Sequence, residues 1–139
     1  MELTRRQSLA IGAGAVAVAS LPVRSVAAQN DAAAVIAAFT GGVEPQEGGV
    51  EITAPEIAEN GSSVPVAVSA PGARAILLVA PGNPNQRVAT FNFGTLSASA
   101  RARTRIRLAQ SQELVAVART DHGFVRASRM IEVVVGGCA

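Results

Sequence analysis

One cysteine is the residue of this sequence best suited to covalent chemistry. Cys138 is the only cysteine among 139 residues and directly follows Gly136 and Gly137. A thiolate is a strong nucleophile, and its sulfur can hold further sulfur atoms covalently. The two glycines have unusual backbone freedom, so we expect a hinge there and a flexible arm over residues 136–139. Four residues beyond Val135 span roughly 13 Å, enough to carry the sulfur into the cleft of another protein.

The single thiol leaves three roles open. With one cysteine no intramolecular disulfide can form, so the thiol is a covalent attachment site, a link to a second molecule, or incidental. Mass analysis separates the first role from the third, and non-reducing electrophoresis reveals the second.

Four arginines form the second candidate site. Arg101, Arg103, Arg105 and Arg107 alternate with smaller or apolar residues in the stretch ARARTRIRL. Because side chains alternate across a strand, the four guanidiniums share one face. This face is either a solvated surface that deters edge-to-edge aggregation or a docking surface for a partner or an anionic substrate. Like charges repel, so we expect Glu opposite them on a neighbouring strand or on a partner.

Other chemistry finds little support in the sequence. His122 is the only histidine and stands in the stretch TDHG, where we expect a polar turn residue at a hairpin. A lone histidine cannot form a metal site by itself. There is no G-x-S-x-G motif or glycine-rich phosphate loop, and no carboxylate pair stands out by its spacing. The sequence therefore predicts no metal site and no catalytic residues.

The first 28 residues have the parts of an export signal. Arg5 and Arg6 precede an apolar run from Leu9 to Leu21, and small residues at 26–28 suit cleavage after Ala28. The adjacent arginines in TRRQSL are typical of the twin-arginine route, which delivers folded proteins to the bacterial periplasm. The apolar run has about 13 residues, short of the roughly 20 that span a bilayer. We therefore predict a signal peptide at 1–28 and no membrane association once mature.

The charge of the remaining chain excludes one class of partner. Without residues 1–28, nine arginines face nine acidic residues, and four phenylalanines are the only aromatic residues of the whole sequence. A neutral body with few aromatic side chains is a poor nucleic-acid binder. Its length suits one domain, which we place at residues 29–135.

Turn and period signals predict the fold class. NDAAAVIAAFTGG is typical of a short helix, with Asn30 or Asp31 as its cap and Gly41-Gly42 at its end. About seven strands follow, with Pro65 marking an edge strand or a strand start. This pattern predicts an all-β, immunoglobulin-like antiparallel β-sandwich with one short N-terminal helix. The predicted strands are Glu51–Thr53, Val64–Ser69, Arg74–Ala80, Val88–Phe93, residues 100–108, Glu113–Thr120 and Phe124–Val135.

Three stretches, in order along the chain, resemble the SoxY family of sulfur carriers. They are EITAPEIAENGSSVPVAV, RIRLAQSQELVAVAR and the terminal VVVGGC. The resemblance implies that Cys138 on a swinging arm is the covalent attachment site for sulfur intermediates, with no other cofactor. It implies a heterodimer with a SoxZ-like sandwich subunit, and transient docking to SoxAX-, SoxB- and SoxCD-like enzymes that do the catalysis. The alternative from the residues alone is a structural or adhesive immunoglobulin-like module with an incidental thiol.

Two details of the resemblance concern glycines. The family's tail reads G-G-C-G-G, whereas here Ala139 follows Cys138. In the stretch ENG, we expect a tight loop that needs Gly61 for a positive φ.

Overall fold

The computed structural model describes residues 31–134, which form one helix and nine strands. The predicted signal peptide and the predicted arm at 136–139 lie outside these residues, so the domain boundaries remain predictions. The elements are α1 Ala32–Thr40, β1 Gln46–Glu47, β2 Glu51–Thr53, β3 Ile57–Ala58, β4 Val64–Ser69, β5 Ala73–Val79, β6 Arg87–Asn92, β7 Arg101–Ile106, β8 Gln112–Thr120 and β9 Gly123–Val133.

The helix begins and ends where its sequence signals place it. Asp31 occupies the N-cap position with extended backbone, but its side chain makes no capping hydrogen bond. Instead the Gln86 side-chain oxygen accepts a hydrogen bond from the Ala32 N–H, so a distant residue satisfies this end of the helix. At the other end, Gly41 takes a left-handed φ of 67° and donates to the Ala37 carbonyl.

The strands form two sheets. The larger has the order β1-β9-β8-β5-β6, and β3 also pairs with β9. Its main ladders are antiparallel, whereas the two-residue strands β1 and β3 each pair parallel to β9. Thr120 and Gly123 close the β8–β9 hairpin, so the predicted turn at 120–123 is confirmed.

The smaller sheet has the order β2-β4-β7, with antiparallel pairing throughout. Pro65 is the second residue of β4, which confirms a strand start, although β4 is the central strand of its sheet. A proline is tolerated there because β2 pairs only with Ala67–Ser69. At Pro65 the strand is therefore paired on one side alone, with Arg105 of β7.

The sheets pack face to face around an aliphatic core. Side chains from both sheets are almost fully buried in one cluster, including Val64, Val68, Ile76, Leu114 and Ile131. Side chains alternate between the two faces of a strand, so Val64, Val66 and Val68 of β4 all point into the core. Burial of such apolar surface is the main stabilising contribution to a domain of this size.

A second cluster covers the outer face of the larger sheet. Val35 of α1 packs with Leu77 of β5 and Val117 of β8, all at most 2% exposed. At its edge Phe39 contacts Phe124 edge-on, with ring centroids 5.9 Å apart. The helix therefore covers part of the outer face of the larger sheet.

The predicted fold class is confirmed. The helix and all seven predicted strands are present within a few residues of their expected bounds. The strands β1 and β3 were missed, because two-residue strands carry no periodic signal.

Candidate functional site

The candidate attachment site begins just beyond the described residues. Cys138, Gly136 and Gly137 lie outside the range 31–134, so their assignments as attachment site and hinge remain predictions. What the structure describes is the end of β9, from which these residues continue.

Both edges of β9 are held at this end. On one edge, the Glu132 N–H donates to the Glu56 carbonyl at 2.8 Å and the Val134 N–H to the Ala58 carbonyl at 3.0 Å. On the other edge, the Val133 N–H donates to Ser111 Oγ at 2.8 Å, and that hydroxyl lies 3.4 Å from the Val133 carbonyl oxygen. A side chain thus continues the β8–β9 ladder past Gln112, its last paired residue. Hydrogen bonds therefore hold Glu132, Val133 and Val134, and we call these three residues the anchor of the arm.

Gly61 lies against this anchor, and the reason for its glycine differs from the one predicted. Its φ is not positive, so the expectation of a left-handed turn residue is wrong. A Cβ at Gly61 would meet the Leu108 carbonyl oxygen at 2.6 Å and Val133 Cγ1 at 2.8 Å. The Gly61 carbonyl also accepts a hydrogen bond from the Leu108 N–H at 2.7 Å. The glycine is required because three segments meet at one point.

The four predicted arginines are all exposed, three of them on the outward face of β7 and one just beyond the strand. Arg101, Arg103 and Arg105 point outward from β7, and Arg107 follows the strand and is also exposed. We call these four residues the arginine row. Within residues 31–134 the structure has two ion pairs, Arg74–Asp121 and Arg126–Glu47, and neither involves the arginine row.

The acids expected opposite the row are not on the neighbouring strand. On β4, the residues that pair with Arg101, Arg103 and Arg105 are Ser69, Ala67 and Pro65, respectively. Glu51 pairs with Ser69 from the far side of β4, so one acid lies in register with Arg101 but two strands away. The expectation of a neighbouring Glu is wrong for this strand, and the charge of the row faces solvent.

A shallow groove of about 750 Å³ runs along this face. Small side chains of β4 form its floor, and Arg101, Arg103 and Arg105 form one wall. Residues that line it include Thr53, Pro55, Pro65, Ala67, Ser69, Arg101, Arg103 and Arg105. Arg105 bridges one end of the groove to a turn, since its Nη1 lies 3.4 Å from Ser63 Oγ. The groove combines three arginines and one acidic residue, Glu51, with a surface that large side chains do not fill.

A second groove of about 590 Å³ lies where the edges of the two sheets approach each other. Val88 and Ala89 of β6 line one side, and Thr104 and Ile106 of β7 line the other. Asn83 closes it through hydrogen bonds to the Arg107 carbonyl and the Ala109 N–H, at 2.7 and 2.9 Å. The loop after β7 is thereby fixed to the larger sheet.

His122 lies apart from both features, exposed in the turn between β8 and β9, as predicted. Beside it, Arg74 Nε donates to Asp121 Oδ1 at 2.6 Å. This hydrogen bond, followed by the attraction of the guanidinium charge, lowers the pKa of Asp121 from its ordinary value. Both side chains are more than half exposed, so the pair is a minor contribution to stability.

In the described part of the chain, no three His, Cys, Asp or Glu side chains are grouped so that they could hold a metal ion. No helix of residues 31–134 is long and apolar enough to cross a membrane.

Sequence reasoning missed the residues that secure the anchor. Ser111 stands in the stretch LAQSQE, where nothing marks a hydroxyl that bonds to a strand 22 residues later. Gly61 was noticed for its loop, but the crowding around it depends on Leu108 and Val133, which no local pattern connects to it. Both roles come from tertiary contacts.

The chain is similar to a known protein family and to several solved structures. A family model described as sulfur oxidation protein SoxY matches residues 36–138, a range that includes the glycine pair and the cysteine. The solved structure of the sulfur carrier protein SoxY from Chlorobium limicola f thiosulfatophilum is 37% identical, with a TM-score of 0.64. That match covers 71% of this chain and 88% of the other.

A more distant likeness concerns the fold alone. A superoxide reductase (neelaredoxin) from Ignicoccus hospitalis is 24% identical, with a TM-score of 0.55, over 63% of this chain and 81% of its own. A search of curated proteins gives no significant match.

Proposed function

The chain belongs to the SoxY family, and from this membership we propose that it is a covalent sulfur carrier of thiosulfate oxidation. Cys138 is the attachment site, and the chain presents its cargo to enzymes rather than catalysing a step itself. The observation that carries the proposal is the family match through residue 138, combined with an anchor that holds β9 up to Val134.

The chemistry needs an oxidant and a hydrolase from outside the chain. In the first step a bond forms between the Cys138 sulfur and the sulfane sulfur of thiosulfate. This releases the thiol proton and two electrons, which a SoxAX-like haem enzyme accepts. In the second step water cleaves the bond between the sulfane sulfur and the sulfonate, releasing sulfate and a proton and leaving a persulfide on Cys138. A SoxB-like hydrolase performs this step, and a SoxCD-like dehydrogenase oxidises the persulfide sulfur further.

The geometry supports a carrier because it combines a fixed base with a short reach. Hydrogen bonds on both edges of β9 hold Glu132 to Val134. Cys138 follows Val134 by four residues, a span of roughly 13 Å when extended. The two glycines within that span allow a hinge. Such a segment can enter a cleft while the sandwich stays outside it.

The arginine row is the proposed docking surface for these partners. Its four residues are exposed and form no ion pair within residues 31–134, and Arg101, Arg103 and Arg105 line a groove with small residues on its floor. Positive surfaces of this kind attract acidic partner surfaces and accelerate association at low salt. We propose that a SoxZ-like sandwich subunit forms a lasting heterodimer with the chain, and that the enzymes dock transiently.

The proposed location is the periplasm, reached by the twin-arginine route after cleavage near Ala28. The basis is the Arg5–Arg6 pair with its apolar run in the sequence.

Intact mass spectrometry tests the proposal. The mature chain with its partner subunit is incubated with thiosulfate and the oxidising enzyme, and we expect a mass increase of one thiosulfate group on Cys138. Cys138→Ser removes the attacking sulfur and must abolish the adduct. An adduct that survives this substitution, or no adduct on the unaltered chain, favours the structural or adhesive module with an incidental thiol.

A further inference from the structure

The end of the sandwich from which the arm continues has charges of opposite sign on its two sides. Glu56 and Glu59 flank the two residues of β3, and Glu132 lies beside them on β9; all three are exposed. At the end of β7 stand Arg105 and Arg107, also exposed. A negatively charged group that moves about Val134 therefore meets repulsion on one side and attraction on the other.

A short series of contacts connects the two arginines to the anchor. Val133 lies against Gly61, and the Gly61 carbonyl accepts the Leu108 N–H, which places Arg107 one residue from this point. Arg105 reaches the same turn through Ser63, and the Ser63 N–H donates to the Asn60 carbonyl at 3.3 Å. Both guanidiniums thus belong to segments that contact the anchor or its turn.

The other end of the row serves as a comparison within the same strand. Arg101 pairs with Ser69, and Arg105 pairs with Pro65 near the turn that contacts the anchor. The two arginines are four positions apart in an extended strand, about 13 Å. Arg101 has the same charge and exposure but lies away from the anchor.

We propose that Arg105 and Arg107 form an oxyanion subsite for the arm of the same molecule when Cys138 carries a sulfonate. The inference rests on the proposed function and extends it by naming where the cargo binds. Its occupant is the segment 135–139 bearing the Cys138–S–S–sulfonate group, whose terminal oxygens match guanidinium donors. Cys138 follows Val134 by four residues, roughly 13 Å when extended, and Arg107 is adjacent to Leu108, whose N–H donates to the Gly61 carbonyl beside Val133. An uncharged thiol lacks the attraction, so loaded and unloaded arms differ in position.

The test loads the arm without any partner enzyme. The Cys138 thiolate attacks one central sulfur of tetrathionate, forming the Cys138–S–S–sulfonate and releasing thiosulfate. The matched control is the same chain capped by iodoacetamide, which leaves a neutral carbamidomethyl group and releases iodide. Amide NMR spectra of the two forms are then compared. Relative to the unmodified thiol form, we expect the amide signals of Ser63, Arg105 and Arg107 to shift in the loaded form and not in the capped form. The shifts should not depend on protein concentration. They should disappear in about 1 M salt, where the screening length is about 3 Å.

Charge variants locate the effect. Arg105→Gln combined with Arg107→Gln should abolish the shift at Ser63, whereas Arg101→Gln should preserve it. Exposed ion pairs are weak, so we expect each arginine to raise the docked population by roughly two- to fivefold. Equal spectra for the sulfonate and neutral forms, or an equal loss in Arg101→Gln, overturn the subsite. If partner enzymes fail to load thiosulfate while tetrathionate loading still gives the shifts, the proposed function fails and the subsite stands.

Discussion

The strands β9 and β7 differ in role: β9 is fixed within its sheet, whereas β7 presents charged side chains to solvent. β9 is paired along both edges, by β8 on one side and by β1 and β3 on the other, and Ser111 extends the pairing to Val133. β7 ends its sheet, paired by β4 alone, and directs three arginines outward. β9 is built to stay in place, and β7 is built to present charge.

The difference appears in what each strand buries. Ile131 of β9 is fully buried, and Phe124 at its start packs against the helix. On β7, Arg103 faces solvent across from Ala67. Buried apolar area determines stability, whereas exposed charge mainly affects association. We therefore expect substitution of the buried Ile131 to alter the fold and substitution of the outward arginines of β7 to alter binding.

The largest effect comes from breaking the core of β9. Ile131→Ala removes a side chain that is fully buried and should lower the free energy of unfolding by about 2–5 kcal/mol. The control, Arg103→Gln on β7, should change it by less than about 0.5 kcal/mol. Urea denaturation measures both. Similar losses for the two variants contradict the division of roles.

A smaller loss is expected where the anchor crosses the end of the sandwich. Gly61→Ala places a Cβ 2.6 Å from a backbone oxygen, which forces a shift costing about 1–3 kcal/mol. Gly94→Ala is the control, since nothing lies within 4 Å of a Cβ there. Thermal unfolding of the two variants measures the difference. If Gly61→Ala unfolds at the same temperature as the unaltered chain, the backbone at residue 61 has room for a Cβ beside the Leu108 carbonyl oxygen.

Ser111→Ala sharpens the comparison at the last residue that β9 holds. It removes the hydroxyl that bonds to Val133, and we expect a loss of about 1 kcal/mol together with faster hydrogen exchange of the Val133 amide. Ser97→Ala, exposed in the loop before β7, serves as the control. Unchanged exchange at Val133 means that β3 alone secures the anchor.

The smallest effect is pH-dependent and lies at the opposite end of β9. The pKa of Asp121 is lowered in the folded state, so its pair with Arg74 stabilises above the unfolded pKa. This contribution is lost as the pH falls through the lowered folded value. We expect Asp121→Asn to lower the urea midpoint slightly at pH 7, with a difference that shrinks as the pH falls below the ordinary carboxyl pKa of 3.8. A difference that persists at acid pH points to a cause other than ionisation.

Local patterns predict much of this molecule, and contacts between distant segments decide the rest. Alternation in residues 100–108 and the TDHG turn correctly predicted β7, its arginine face and the β8–β9 hairpin. The parallel strands β1 and β3 escaped prediction because they exist only by pairing with β9. The roles of Ser111 and Gly61 depend on Val133, distant in sequence from both. Cys138 was singled out by its chemistry and stays a prediction, whereas the contacts that hold the end of β9 required the fold.

The central claim is that Cys138 carries sulfur, and the protein taken from its host tests it most directly. Cells grown on thiosulfate are lysed under non-reducing conditions in the presence of an alkylating agent, and the C-terminal peptide is fragmented in a mass spectrometer. We predict a fraction of peptides bearing a thiosulfate or persulfide group on Cys138, absent from cells grown without reduced sulfur. A peptide that is uniformly alkylated at the bare thiol under both conditions contradicts the account.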